Sequence, residues 1–146
     1  MEAATALMNG WAYATGRPPC VLVVDDDHGV RHLCTTILRH EGYEAIEAAN
    51  GREGFERAIA ETPDLALVDL QMPELDGFGL AAALLTHERT RKVPLVFLTE
   101  EADPCVEALA YEAGGLGFFA KPLDPGDVGV FVNRALADLA PKQIQV

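Results

Sequence analysis

The sequence predicts an α/β domain in which five parallel strands alternate with five helices, doubly wound into one sheet covered on both faces. Three observations predict it. The runs VLVV at 21–24, LALV at 65–68 and PLVFL at 94–98 are apolar without alternation, as in strands buried on both sides. Segments of helical period stand between such runs. The 146 residues suffice for one domain of this kind and leave no room for a second.

The first strand is read at 20–25. After it Val30, Leu33, Cys34, Ile37 and Leu38 recur at helical spacing and form one face of a helix that Gly42 can close. YEAIEAA at 43–49 is a weak second strand. Asn50, with Glu53 three residues on, makes a capping pair for a helix carrying Phe55, Ala58 and Ile59, which ends before Pro63. LALVD at 65–69 is the third strand. Asp76 and Gly77 then serve a turn and the start of an alanine- and leucine-rich helix that runs to about His87. RTRK at 89–92 reads as a solvated loop at the end of the sheet away from the aspartates. VPLVFLT at 93–99 is the fourth strand, Asp103-Pro104 opens a helix to about Ala113, FFA at 118–120 is a short fifth strand, and Asp124-Pro125 starts a last helix to about Leu139. Residues 1–19 have no sustained period and end in Arg17-Pro18-Pro19, so they read as a flexible extension, with Trp11 and Tyr13 as docking candidates. The domain proper is placed at 20–140 and a tail at 141–146.

Composition narrows the classes of function. A net charge of -12 opposes non-specific binding to nucleic acid, which needs a basic face to displace counterions. Cys20, Cys34 and Cys105 are too few and too far apart for a disulfide framework or a C-x-x-C motif, and they suit a reducing compartment. No apolar run is long enough to span a membrane, and the N-terminus has no signal-peptide pattern, so a cytoplasmic location is expected. His28 and His32 are spaced i, i+4, but no third ligand follows, and they read as a solvated helix surface.

Open parallel sheets bind ligands in the crevice at the carboxyl ends of their strands. The residues expected there are Asp25 and Asp26 after the first strand, Asp69 closing the third, Thr99 closing the fourth and Lys121 after the fifth. Carboxylates so crowded repel one another unless a cation compensates them, and hard oxygen ligands select Mg²⁺. A threonine hydroxyl and a lysine ammonium beside such a cation describe a site for a phosphoryl group.

VLVVDDD, VDLQMPELDGF, VPLVFLT and AKP, in that order and at those spacings, resemble the receiver domain of two-component response regulators over roughly residues 20–140. The resemblance implies the CheY-like, flavodoxin-like fold with strand order 2-1-3-4-5. It implies that Asp69 is the phosphoacceptor, taking a phosphoryl group from phosphohistidine on a sensor histidine kinase or a phosphotransfer protein. It implies Mg²⁺, for which Mn²⁺ can substitute, held by Asp26, Asp69 and the backbone carbonyl of Gln71, with Asp25 reaching it mainly through water. Thr99 and Lys121 would bind phosphoryl oxygens, Phe118 would be the aromatic switch residue, and the Lys121-Pro122 bond is expected to be cis. Gln71, Glu100 and Glu101 would tune the site. Asp27 would help to start the following helix.

Two departures stand out. Glu100 occupies a position that is normally small, which bears on the speed of phosphorylation. Phe118 lacks the hydroxyl of the more usual tyrosine. Two rival classes share these residues. A haloacid-dehalogenase-like phosphatase could use Asp25-Asp26-Asp27 as a D-x-D, but that reading leaves Asp69 unused and needs a larger chain. A pseudo-receiver would be an interaction module that never carries phosphate.

The receiver reading implies a phosphate acceptor with slow autodephosphorylation, not a turnover enzyme. No output module follows the fifth helix, so output is expected through protein contact, unless the chain is a fragment. Residues 100–127 contain seven acids (Glu100, Glu101, Asp103, Glu107, Glu112, Asp124, Asp127) and one base, Lys121. A basic output protein is therefore expected on the face of the fourth helix, fifth strand and fifth helix, which relatives also use to form homodimers.

Overall fold

The computed structural model describes residues 16–139. Its strands are β1 (Cys20–Val24), β2 (Glu44–Ala48), β3 (Leu65–Asp69), β4 (Leu95–Thr99) and β5 (Gly115–Ala120). Its helices are α1 (His28–His40), α2 (Gly51–Glu61), α3 (Gly77–Thr86), α4 (Pro104–Glu112) and α5 (Pro125–Leu139). The strands form one parallel sheet in the order β2-β1-β3-β4-β5. Trp11, Tyr13 and the tail at 141–146 lie outside the described residues.

Side chains of a strand alternate between the two faces, so each apolar strand feeds two cores. Val21, Val23, Leu65, Leu67, Val96 and Leu98 pack with Cys34 and Leu38 of α1 and Val128, Val132 and Leu136 of α5. Leu22, Val24, Ala66, Val68 and Phe97 pack on the other side with Ala58 of α2, Leu80 and Leu84 of α3 and Ala110 of α4. β1, β3 and β4 are buried at every position, which accounts for their unbroken apolar runs.

Side-chain caps aim all five helices. Asp27 accepts from the N–H groups of Gly29 and Val30, Asn50 from Glu53, Asp76 from Gly79, Asp103 from Val106, and Asp124 from Gly126 and Asp127. Gly42 has φ 94, a left-handed conformation that turns the chain from α1 into β2. The RTRK loop lies at the amino ends of the strands, where Arg89 Nε donates to the Ile59 carbonyl at 2.9 Å.

Four strands differ from their expected bounds, β1 and β2 by no more than a single residue at an end and β4 and β5 by more. β5 begins at Gly115, three residues earlier than FFA suggests, because glycines at 115 and 117 erase the apolar signal while still pairing with β4. β4 begins at Leu95, because the N–H of Val93 is spent in a turn to the Thr90 carbonyl and Pro94 has none to give.

Candidate functional site

β1, β3, β4 and β5 end side by side, so the residues that follow their last apolar positions share one mouth. Asp25 stands one residue past β1, and its N–H donates to the Ala48 carbonyl of β2 at 3.2 Å. Asp69 is the last residue of β3, and both acids are buried, at 0% and 2% exposure. A charge so enclosed is tolerated only if it is paired or neutralised. Lys121 supplies the pairing: its Nζ lies 2.7 Å from Asp25 Oδ2 and 3.3 Å from Asp69 Oδ1. The Lys121-Pro122 peptide that precedes the β5–α5 connection is cis.

Asp26 is exposed on the rim. Asp26, Asp27, Asp69, Gln71, Glu100 and Lys121 line a cavity of about 370 Å³. Asp25 lies behind this cavity, with Oδ1 accepting the Asp27 N–H at 2.9 Å. Its buried Oδ2 receives no well-formed hydrogen bond and meets the Lys121 ammonium as an ion pair. Thr99 lines an adjoining hollow instead, together with Leu70, Gln71, Asp76, Phe78, Glu101 and Val106. Its hydroxyl accepts the Glu101 N–H at 3.0 Å. Phe118 pairs with Phe97 across β4 and β5 and packs toward the core under α2, α3 and α4. Thus Asp26, Asp69, Gln71, Glu100 and Lys121 are brought together, while Thr99 and Glu101 are one hollow away.

The electrostatics follow from burial. Desolvation first, and then the charge of Asp25, push the Asp69 carboxyl from 3.8 up to about 7, against the pull of Lys121 and of the Gln71 N–H. Burial opposes the charge of Lys121, but contacts to Asp25 and then Asp69 outweigh it and hold the ammonium above its ordinary value. Burial also raises the Cys20 and Cys34 thiols, to about 11 and about 12, so neither is a nucleophile at neutral pH.

The donor set fits a hard divalent cation. Asp25, Asp26 and Asp69 each offer an oxygen within 4.8 Å of the others, and they are the one such group of three or more among the described residues. Asp25 Oδ2, held among the described residues by the Lys121 ammonium alone, is an oxygen a cation would also satisfy. His28 and His32 stack on the exposed surface of α1, 6.4 Å apart, outside this group.

Two residues of the site escaped the sequence. Arg31, on the first turn of α1, donates from Nη1 to the Asp25 carbonyl at 2.7 Å and pairs through Nε with Glu47 at 3.3 Å. A base so near three acids was the available signal. Gly77 begins α3 directly beneath Asp69: a β-carbon there would stand 2.8 Å from Leu70 Cα and overlap the Asp69 carbonyl. Its signal was the Asp-Gly pair, which reads equally well as an ordinary turn.

Comparison with known proteins agrees with this geometry. Residues 21–132 match the family model of the response regulator receiver domain. The transcriptional regulatory protein SrrA of Staphylococcus aureus is 33% identical over 116 residues, which cover 80% of this chain and 47% of that protein. The chain thus spans about half the length of that curated relative. Among solved structures, the chemotaxis protein CheY4 of Vibrio cholerae superposes with a TM-score of 0.75 at 29% identity, covering 80% of this chain and 98% of that one. A CheY-like receiver domain protein from Methanospirillum hungatei gives a TM-score of 0.75 at 27% identity, covering 84% and 96%.

Proposed function

The chain belongs to the response regulator receiver domain family, and we propose that it works there as a phosphoacceptor, with Asp69 taking a phosphoryl group from phosphohistidine on a sensor kinase or phosphotransfer protein. The observation that carries this reading is the convergence of Asp25, Asp26 and Asp69 oxygens within 4.8 Å, with the Lys121 ammonium against two of them. Phosphoryl transfer asks mainly for positioning and charge neutralisation, and this set offers both.

In the step proposed, an Asp69 oxygen attacks phosphorus in line with the departing imidazole nitrogen. The P–N bond breaks with its electron pair going to the imidazole, and an acyl phosphate forms. Lys121 neutralises a phosphoryl oxygen, and Thr99 gives up its contact with Glu101 to donate to another. Asp25, Asp26, Asp69 and the Gln71 carbonyl would hold Mg²⁺, or Mn²⁺ in its place, which supplies further neutralisation of the phosphoryl oxygens. Phe118, packed against the same core cluster as Phe78 and Val106 of that hollow, would follow the threonine and report the change to α4 and β5.

The family is a signalling family and not one of turnover enzymes. Output would pass through the acidic face of α4, β5 and the start of α5, where Leu109, Tyr111 and Leu116 are exposed, to a protein of complementary charge or to a second copy. A direct nucleic-acid contact is disfavoured by the charge of -12. Among the described residues no helix is long and apolar enough to cross a membrane.

The test is incubation with Mg²⁺ and acetyl phosphate or phosphoramidate, followed by intact mass. One phosphoryl group should be gained by the parent and none by Asp69→Asn. Modification persisting in the variant would overturn the assignment.

A further inference from the structure

We infer that Arg31 is a positioning residue that aims the Asp26 carboxylate at the cation; the inference rests on the metal-site reading above. Asp26 is the centre of a short arch between β1 and α1, and the Arg31 side chain fixes the peptide group that precedes it. Arg31 Nη1 donates to the Asp25 carbonyl at 2.7 Å; the Arg31 backbone N–H, on the Asp27 carbonyl at 3.1 Å, only closes the first turn of α1, as any residue there would. The far side of the arch is tied too, by the Asp27 N–H on Asp25 Oδ1 at 2.9 Å. With these groups held, the backbone of Asp26 has little freedom, although its side chain is exposed.

The guanidinium is itself held. Its side chain is 14% exposed, and Nε pairs with Glu47 on β2 at 3.3 Å, so one planar group links the second strand to the arch. Outer-shell partners of this kind orient the ligands of a cation site without touching the ion. Charge alone would argue the other way. A guanidinium beside the cluster repels an incoming divalent cation, so if charge were its only influence, its removal would tighten binding.

That opposition of signs makes the test decisive. Mg²⁺ affinity is measured by calorimetry on the whole chain for the parent, Arg31→Ala, Arg31→Lys, Glu47→Gln and Asp26→Asn, with melting in EDTA to establish that each variant folds. Positioning predicts roughly tenfold or greater loss of affinity for Arg31→Ala. Arg31→Lys should lose nearly as much, because an ammonium keeps the charge but cannot serve the Asp25 carbonyl and Glu47 from one plane. Glu47→Gln, which leaves the carbonyl bond intact, should lose less than either. Arg31→Ala binding as tightly as the parent, or more tightly, would overturn the inference; so would full rescue by lysine, since the planar link from the Asp25 carbonyl to Glu47 would then not matter. Should Arg31→Ala not fold, the lysine variant decides alone. If Asp26→Asn also leaves affinity unchanged, it is the metal-site reading that fails and not merely the role of Arg31.

Discussion

Lys121 Nζ lies closer to Asp25, at 2.7 Å, than to Asp69, at 3.3 Å. The ammonium therefore serves mainly Asp25, an acid of the proposed metal site, and only secondarily Asp69, the proposed phosphoacceptor. Its charge sits against two of the carboxylates proposed to hold a divalent ion, so lysine and ion are expected to compete.

Lys121→Ala should accordingly be destabilised in EDTA, because two buried carboxylates lose their counter-charge; breaking such a pair costs about 3 kcal/mol. Saturating Mg²⁺ should recover much of that loss, and Mg²⁺ affinity should rise relative to the parent. Denaturant unfolding with and without the ion reads both effects. An affinity that falls would mean that Lys121 organises the ligands instead of competing with the ion.

The raised Asp69 carboxyl gives a pH signature. With its pKa moved from 3.8 to about 7 on folding, the native state binds this proton more tightly than the unfolded chain. The group's contribution to stability is full below about pH 4 and is lost as pH rises through about 7. In EDTA the melting temperature should therefore fall across that window, and Asp69→Asn should flatten the fall. Above pH 7 the same variant should be more stable than the metal-free parent, by on the order of 1–2 kcal/mol, since one pKa unit is about 1.4 kcal/mol. In Mg²⁺ the ordering should reverse, because the ion binds only the deprotonated parent and releases a proton below pH 7.

Gly77 tests how closely α3 must approach Asp69, the proposed phosphoacceptor. Gly77→Ala would drive a methyl against the backbone of Asp69 and Leu70, the latter at 2.8 Å, both part of a buried segment with no room to retreat. A loss of stability of about 1–3 kcal/mol is expected, with slower phosphorylation of the fraction that folds. Calorimetric melting and the acetyl phosphate rate measure the two; a variant indistinguishable from the parent would show that α3 can shift.

Strands buried on both faces, such as LALVD, left an unbroken apolar signal in the sequence, and the acids at their carboxyl ends marked the site. The cap residues Asp27, Asn50, Asp76 and Asp103 were equally legible, since each acts within three residues of itself. Most of what stayed hidden depends on contacts distant in sequence. Arg31 meets Glu47 across the sheet edge, and β5 gains Gly115 only by pairing with β4. The Thr99 contact is local yet equally hidden: the hydroxyl turns toward Glu101, two residues on, and not into the acid cavity. No local pattern records which way a hydroxyl turns.

Glu100 lines the same cavity as Asp26, Asp27 and Asp69, so a fourth carboxylate faces whatever enters. A single like charge at 4 Å opposes an anion by about 1 kcal/mol in bulk water, and salt weakens that figure. Since about 1.4 kcal/mol is tenfold in rate, Glu100→Ala should react roughly fivefold faster with acetyl phosphate. The gain should shrink as ionic strength rises. Transfer from a phosphohistidine protein should change less, because a docked partner brings its own binding contacts to offset the repulsion. Rates for both donors, at two ionic strengths, separate charge from bulk. A gain insensitive to salt would show that side-chain volume, not charge, narrows the mouth, and equal rates with acetyl phosphate would show that Glu100 stays clear of the donor's path.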